Sequence, residues 1–579
     1  MIITLLLIGL CTGSLYINDP IYHDMLFTMK IFINTDSKYF VDLELKRSFD
    51  SIKDDFLTII SRHNTDPTTL KQSFLSGVLE QHSGMRKDIQ KFCSDNFKES
   101  TDLLLPVDIT ATKPSWFGDL DSLQEKMCNR IFDLWKTYYK RVNPDIKTQN
   151  TLLPLKGNLC VLGGRFNEMY YWDTYWIIIG LVNCNMVKEA YEILKTFVEI
   201  IKANGFVPNA TRTYYLNRSH PPMFSHMLDV LYKSTDDTEI HEFILNEGLE
   251  AAEDEYNYFM KHKILEYNGV LFNVYKVDTD NPRIESYTED FITQHLSKNK
   301  QKVCSNLATG AESGWDFSSR WFEDGKNLQT INILHLVPVD LNATMLKNLC
   351  IIKKFYEKKH EMDAKYVAKI FEYNNLILKR RRILRNLWNS DEESWNDLNI
   401  KTGKYNDKRF YFSNIFPLFF DLSTKDDAYR VLNRYHKELF GYIGGAPISG
   451  DGVYTDHQWD FPNVWAPCIQ LLVEYLSSID EHKMAIHVSK SFYLSVRNEY
   501  LKTGMFFEKY NCREVGKRGD GGEYPVQNGF GWTNGTIIYL LKKYGKELEE
   551  EFDHHRSYEE IIRYLEEKTG FNENIQVCN

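Results

Sequence analysis

The sequence predicts an all-α fold in which helices form a toroid and their connecting loops gather at one end. Three observations predict it. Apolar residues recur at offsets of three and four, as in the stripe Val187, Ala190, Tyr191, Leu194, Phe197, Val198 and Ile201, which Gly205 follows as a stop. Similar stripes lie near 122–137, 246–263, 345–357, 363–378, 426–439, 466–478, 483–499 and 534–545. The loops between them are rich in Trp, Gly, Asp and Arg, and loops of that kind carry function on a rigid scaffold. Strand signals are few and do not alternate with the helices, and no repeat period of roughly 20–50 residues is visible.

Taken in order, the chain begins with an apolar run, Ile2 to Leu10, followed by Thr12, Gly13 and Ser14. Residues 1–14 read as a secretory signal peptide, too short to span a bilayer. Residues 15–579 read as one domain, because no Pro/Gly/Ser-rich linker or charge block divides them. Ser37 to Leu45 reads as a short extended segment ahead of the first helices. Asn268 and Gly269, between aliphatic runs, predict a hairpin, and Thr402 with Gly403 predicts another. No stretch is apolar enough for a transmembrane helix, so the mature protein is expected to be secreted and soluble. A net charge of −11 argues against a nucleic-acid partner. The one basic run, Lys379 to Arg382, reads as a solvated helix face. Ten Cys without metal-type spacing predict a few disulfides at most and at least one free thiol. Of four Asn-x-Ser/Thr acceptors, at Asn209, Asn217, Asn342 and Asn534, Asn342 is the one expected to carry a glycan.

The chemistry concentrates in loops. In Ala311 to Trp321, Asp316 follows a small-residue turn at Ser313 and Gly314 and lies between Trp315 and Phe317. Aromatic faces pack on sugar rings, and aromatic packing desolvates a carboxyl and favours its protonated form. On that stretch alone, a buried Asp satisfied by backbone amides is an equal reading. Gly163 to Tyr175 adds Arg165, Phe166, Tyr170, Trp172 and Asp173, with Arg165 and Asp173 able to clamp vicinal hydroxyls. Phe206 to Pro222 offers Asn209 and Arg218, with Ser219 and His220 beside them. Arg283 and Glu285 taken alone would be an exposed ion pair. His457 to Pro467 leads into a helix, and the last region holds two acids, Glu508 and Glu523.

With these residues laid out, the chain resembles the trehalase family, the all-α inverting glycoside hydrolases. Gly163 to Tyr175 resembles that family's first signature and Gln458 to Pro467 its second. Asp36 to Asp42, Ala311 to Trp321, Pro338 to Ala343 and Glu523 to Gly535 match as well, so the likeness spans about residues 30 to 545. The resemblance implies an (α/α)6 toroid with small β-hairpins in the loops at the active-site end. It also implies α,α-trehalose as substrate, hydrolysed to two glucoses with inversion at one anomeric carbon, and no metal or organic cofactor. Asp316 matches the general acid and Glu508 the general base. Chemistry alone does not prefer Glu508 over Glu523. Arg165, Phe166, Tyr170, Trp172, Asp173, Asn209, Arg218, Ser219, His220, Arg283, Glu285, Gly314 and Glu523 match substrate-binding or site-lining positions. An inverting pair needs about 6.5–9.5 Å between carboxyls to admit the attacking water.

The chain departs from the family pattern at four places. Leu162 stands where Pro is usual, and His220 stands where Gln is usual, introducing a charge that would change with pH. Val464 replaces a Gly, and the glycine-rich run before Glu523 is diluted across 516–522. Two alternatives stay open. One is another inverting α-glucosidase or a disaccharide phosphorylase, whose phosphate Glu508 would repel. The other is a silent sugar-binding protein, which would be expected to lack one of the two carboxylates.

Overall fold

The computed structural model describes residues 16–99, 103–146, 149–406, 409–420, 422–452 and 455–570. The segment read as a signal peptide lies outside them, as do Cys11 and Cys578.

Twelve helices, numbered here in chain order, pair off as six outer and six inner elements. The outer helices are α1 (Ser122–Tyr138), α3 (Val187–Asn204), α5 (Leu249–His262), α7 (Val367–Arg385), α9 (Lys425–Arg434) and α11 (His482–Thr503). The inner ones are α2 (Asp173–Asn183), α4 (Phe224–Ser234), α6 (Val339–Met362), the short α8 (Phe416–Phe419), α10 (Ala466–Ser478) and α12 (Gly531–Glu549). Each inner helix packs on the next, and α12 packs back on α2, so the inner ring closes. The inner helices α2 and α10 are apolar on nearly every side, as a helix covered both by the ring and by an outer layer must be. The outer helices are amphipathic, and α3 buries the predicted stripe and ends at Gly205, whose φ of 80° is the left-handed cap glycine tolerates.

This alternation positions the site. Every inner helix begins, and every outer helix ends, at the same end of the toroid. The connections there are long and hold the chemistry-bearing loops, whereas those at the other end include turns as short as 184–186, 363–366 and 479–481. The predicted hairpins fall at the loop-rich end. Ile264–Tyr267 pairs with Val270–Asn273 through Asn268 and Gly269, both at positive φ, and Leu398–Asn399 pairs with Lys404–Tyr405 around Gly403.

Three expectations change. Ser37–Asp42 is helical, with the Asp36 side chain accepting from Lys38 N at 2.9 Å as its N-cap, and the helix Pro20–Ile33 precedes it. Only Glu44–Leu45 is extended. In the basic run, Lys379, Arg381 and Arg382 are exposed, but Arg380 is buried beside Met260. Asn342 is an inner-wall residue of α6, 2% exposed, and its amide donates to Asn273 O and Pro338 O, so the folded chain does not offer it to a glycan. Asn209 and Asn534 are buried too, leaving Asn217 as the exposed acceptor. Among the described residues Cys93, Cys128, Cys160, Cys184, Cys304, Cys468 and Cys512 are free thiols.

A smaller cluster of helices, Pro20–Ile33, Phe49–Arg62 and Met85–Asn96, has its own apolar core, which takes in Tyr214, Tyr215 and Ile284 from the ring's loops. It thereby carries Asp36 and Lys38 to the mouth of the toroid. Among the described residues no helix is long and apolar enough to cross a membrane.

The tightest seam of the ring joins α2 to α12. A Cβ on Gly535 would lie 2.1 Å from the Trp176 carbonyl oxygen, and one on Gly180 would lie 2.8 Å from the Gly535 Cα. Overpacking a close contact costs about 1–3 kcal/mol and more when backbone must move. Gly535→Ala is therefore expected to lower the unfolding free energy in urea by at least that amount, and an unchanged midpoint would refute the close approach.

Candidate active site

A cavity with about 690 Å³ of empty space, part of it open to solvent, lies at the loop-rich end of the toroid. Asp316 reaches it from the loop after the helix Val303–Glu312. Gly314 turns the chain at φ 76°, and a Cβ there would lie 2.9 Å from the Trp172 ring. Trp315 stacks on Trp459 at 5.3 Å, and Trp459 on Trp465 at 4.2 Å. Arg320 anchors the loop from behind. It makes paired hydrogen bonds to Asp340 (2.8 and 2.9 Å) and to Asp397 (2.6 and 2.8 Å), and it lies against the rings of Trp315 and Trp321. Ser318 and Ser319 bind Asp460 at 2.9 Å. Burial pushes the Asp316 carboxyl up to about 7, with Arg283 opposing and Glu523 reinforcing the shift.

Glu508 comes from the opposite side of the ring. The strand Lys509–Asn511 pairs with Asn463–Trp465, so the second signature and the Glu508 segment share one small sheet. Val464, 0% exposed, is an ordinary strand residue there, opposite Tyr510. The Glu508 carboxylate accepts from Tyr524 Oη at 2.7 Å and from Gln527 N at 3.4 Å. Burial raises its pKa, opposed first by Lys509. Glu523 is held differently, its two oxygens accepting from Arg283 and Ser286, each at 2.9 Å.

Of the other predicted residues, Arg165, Phe166, Tyr170, Trp172, Asp173, Asn209, Arg218, His220, Arg283, Glu285 and Gly314 all line the cavity. Ser219 does not. It is fully buried, its hydroxyl donating to Val207 O at 2.9 Å and its amide to Glu312 at 2.9 Å. Arg165 pairs with Asp36 at 2.9 Å rather than with Asp173. Arg283 and Glu285 are buried and not paired with each other. Arg283 binds Asp290 and Glu523, and Glu285 binds Arg218, which with Arg283 holds its carboxyl low against burial. Asp173, at the first turn of α2, is raised well above the usual range by burial, and Glu508 and Asp316 add to that shift. His220 is pushed far below the ordinary imidazole value by burial, so it is neutral at working pH and does not bring the expected charge switch. The 516–522 loop supplies no lining residue, although Glu523 and Tyr524 that follow it do.

Sequence reasoning missed Lys38, Tyr215, Ser286, Gln458, Trp459, Trp465, Tyr524, Phe530 and Trp532 as lining residues. Several stand in the quoted motifs, whose density of Trp and Tyr was the available signal. Asp290 had none. Among the described residues, no group of three or more His, Cys, Asp or Glu could hold a metal ion. The arrangement offers a protonatable carboxyl, a second buried carboxylate, fixed guanidinium donors and stacked indoles. That set suits acid–base chemistry on a polyhydroxylated ligand.

A family model described as Trehalase matches residues 34–545. A trehalase of Dictyostelium discoideum is 33% identical, covering 93% of this chain and 91% of its own length. One of Bombyx mori is 31% identical over 92% and 91%, respectively. A periplasmic trehalase of Salmonella paratyphi B is 33% identical over 72% and 73%. Among solved structures, a neutral trehalase of Saccharomyces cerevisiae superposes with a TM-score of 0.56 at 19% identity, covering 72% of this chain and 79% of that one. This last likeness concerns the fold.

The geometry around Arg320 yields a stability test. Removing one partner of a buried ion cluster leaves uncompensated charge and costs about 3–5 kcal/mol. Arg320→Leu is expected to destabilise the protein by that amount in chemical denaturation, and a loss below about 1 kcal/mol would contradict the anchoring role.

Proposed function

The chain belongs to the trehalase family of glycoside hydrolases, and from that membership we propose that it hydrolyses α,α-trehalose to two glucose molecules with inversion at one anomeric centre. Asp316 acts as general acid and Glu508 as general base. The observation that supports these roles is the contrast between two buried carboxyls. Asp316 is desolvated among indoles and still holds its proton near neutral pH, whereas Glu508 accepts from Tyr524 and has Lys509 beside it in the chain.

In the proposed reaction Asp316 donates its proton to the bridging oxygen as the glycosidic C–O bond breaks. Glu508 removes a proton from water as that water attacks the anomeric carbon from the opposite face. Arg165, Arg218 and Arg283 present planar donors to sugar hydroxyls, and Trp172 and Phe166 pack on ring faces. After turnover Asp316 is ionised and Glu508 protonated, and proton exchange with solvent resets both. Neutral His220 binds a hydroxyl without adding charge. We also propose that the enzyme is secreted, on the strength of the apolar run from Ile2 to Leu10.

Asp316→Asn and Glu508→Gln are each expected to lower kcat by about 100-fold or more with the fold retained. Near-wild-type turnover in either variant would sink the assignment. NMR of the nascent products is expected to find equal α- and β-glucose; α-glucose alone would mean retention. The rate should also trace a bell against pH. Activity needs Asp316 protonated, so kcat/KM falls as pH rises through about 7. It needs Glu508 ionised, so kcat/KM also falls as pH drops through a value above the usual glutamate figure of ~4.3.

A further inference from the structure

We propose that Lys509 is a positioning residue of this site, its buried ammonium fixing the Glu508 strand, the Gln458 amide that grips the Asp316 backbone, and the 516–522 loop in one arrangement. Lys509 is 0% exposed. Its Nζ donates to Gln458 Oε1 at 2.8 Å and to Gly521 O at 2.9 Å, and lies 5.4 Å from the centre of the Trp465 ring. Gln458 Nε2 in turn donates to Asp316 O at 2.6 Å. One lysine and one amide thus join the backbone of the acid to the residue next to the base. The Gln458 carbonyl is fixed as well, accepting from Trp465 Nε1 and Asn463 Nδ2 at 3.0 Å each. The loop is tied from both sides, with Gly519 N donating to Lys509 O at 3.0 Å and Gly522 N to Asp456 O at 3.2 Å.

Both hydrogen-bonded partners of the ammonium are neutral oxygens, and a buried ammonium on neutral acceptors is costly unless a nearby negative charge balances it. The groups facing it supply that charge, Glu508 first and then Asp520, while Asp316 faces it as a neutral carboxyl in the proposed reaction. Glu508 in turn faces Lys509 and Arg165 as cations, the Tyr524 hydroxyl, and the Asp173 carboxyl. Of these, Lys509 does most to keep Glu508 ionised in its desolvated setting. The same ammonium therefore sets geometry and charge together.

This inference rests on Glu508 being the base, and the experiment separates the two. On the full chain, the pH profile of kcat/KM with trehalose is compared for wild type, Lys509→Met, Lys509→Arg and Glu508→Gln. Loss of the cation is expected to move the acid limb of Lys509→Met upward by at least about 1 pH unit. At pH values below both acid limbs its kcat/KM should fall roughly tenfold, through kcat rather than KM. Lys509→Arg should restore the limb. An unmoved acid limb in Lys509→Met, beside an inactive Glu508→Gln, would overturn the role of Lys509 alone. A fully active Glu508→Gln would remove the base assignment itself. If Lys509→Met does not fold, Lys509→Gln, which removes the charge and keeps a polar donor on a shorter side chain, carries the same expected shift and the same overturning result.

Discussion

The buried fork of Arg320 is the interaction on which the site depends. One guanidinium meets two carboxylates, Asp340 at the start of α6 and Asp397 from the following long connection, with an indole against it from Trp315 and from Trp321. Two carboxylates against one cation would leave a net charge in the core. The first turn of α6 offsets it, since Val339 N donates to Asp397 and Leu341 N to Asp340, each at 2.9 Å, at the positive end of the helix. The loop is thus fixed just after Asp316, by Ser318 and Ser319 to Asp460 and by Arg320 to the inner ring. The Asp316 carbonyl itself accepts from Gln458 Nε2 at 2.6 Å, which is why a residue on a loop can be held as firmly as one on a helix.

The toroid adds a second constraint. All six inner helices begin at the mouth, so their unsatisfied amides and dipoles bias that end toward negative groups. The mouth is accordingly crowded with acids, and the structure treats them in two ways. Glu285 and Glu523 are each clamped by an arginine. Asp316 and Asp173 have no such partner within ion-pair distance, and burial drives both toward the neutral form. The division between clamped and unclamped carboxyls comes from the placement of Arg218 and Arg283, not from the acids themselves.

Much of this was legible in the chain. Helix positions followed from periodicity, because burial on one side of a helix imposes its period on the sequence. Asn268 and Gly269 named their turn, and the aromatics around Asp316 foretold its desolvation. What stayed illegible was long-range pairing. Nothing near Arg165 points to Asp36, and nothing near Arg283 points to Asp290. Ser37–Asp42 looked extended as part of Ser37 to Leu45, whereas the Asp36 cap decided for helix. Asn342 looked like an open sequon because a sequon carries no information about which helix face it occupies. His220 looked like a titrating switch because burial is invisible in a single residue's identity.

The choice between Glu508 and Glu523 illustrates the same point. As sequence, both are acids among aromatics in the last part of the chain, and chemistry could not rank them. In the fold, both oxygens of Glu523 are engaged, one by a guanidinium that also binds Asp290 and the other by the Ser286 hydroxyl. Glu508 accepts one strong hydrogen bond from Tyr524 and one long one from an amide, while burial makes protonation easier than in water. A base must be ionised before the reaction and willing to take a proton during it. For Glu508 burial favours the second condition and the neighbouring cation the first, which is the combination its proposed role requires.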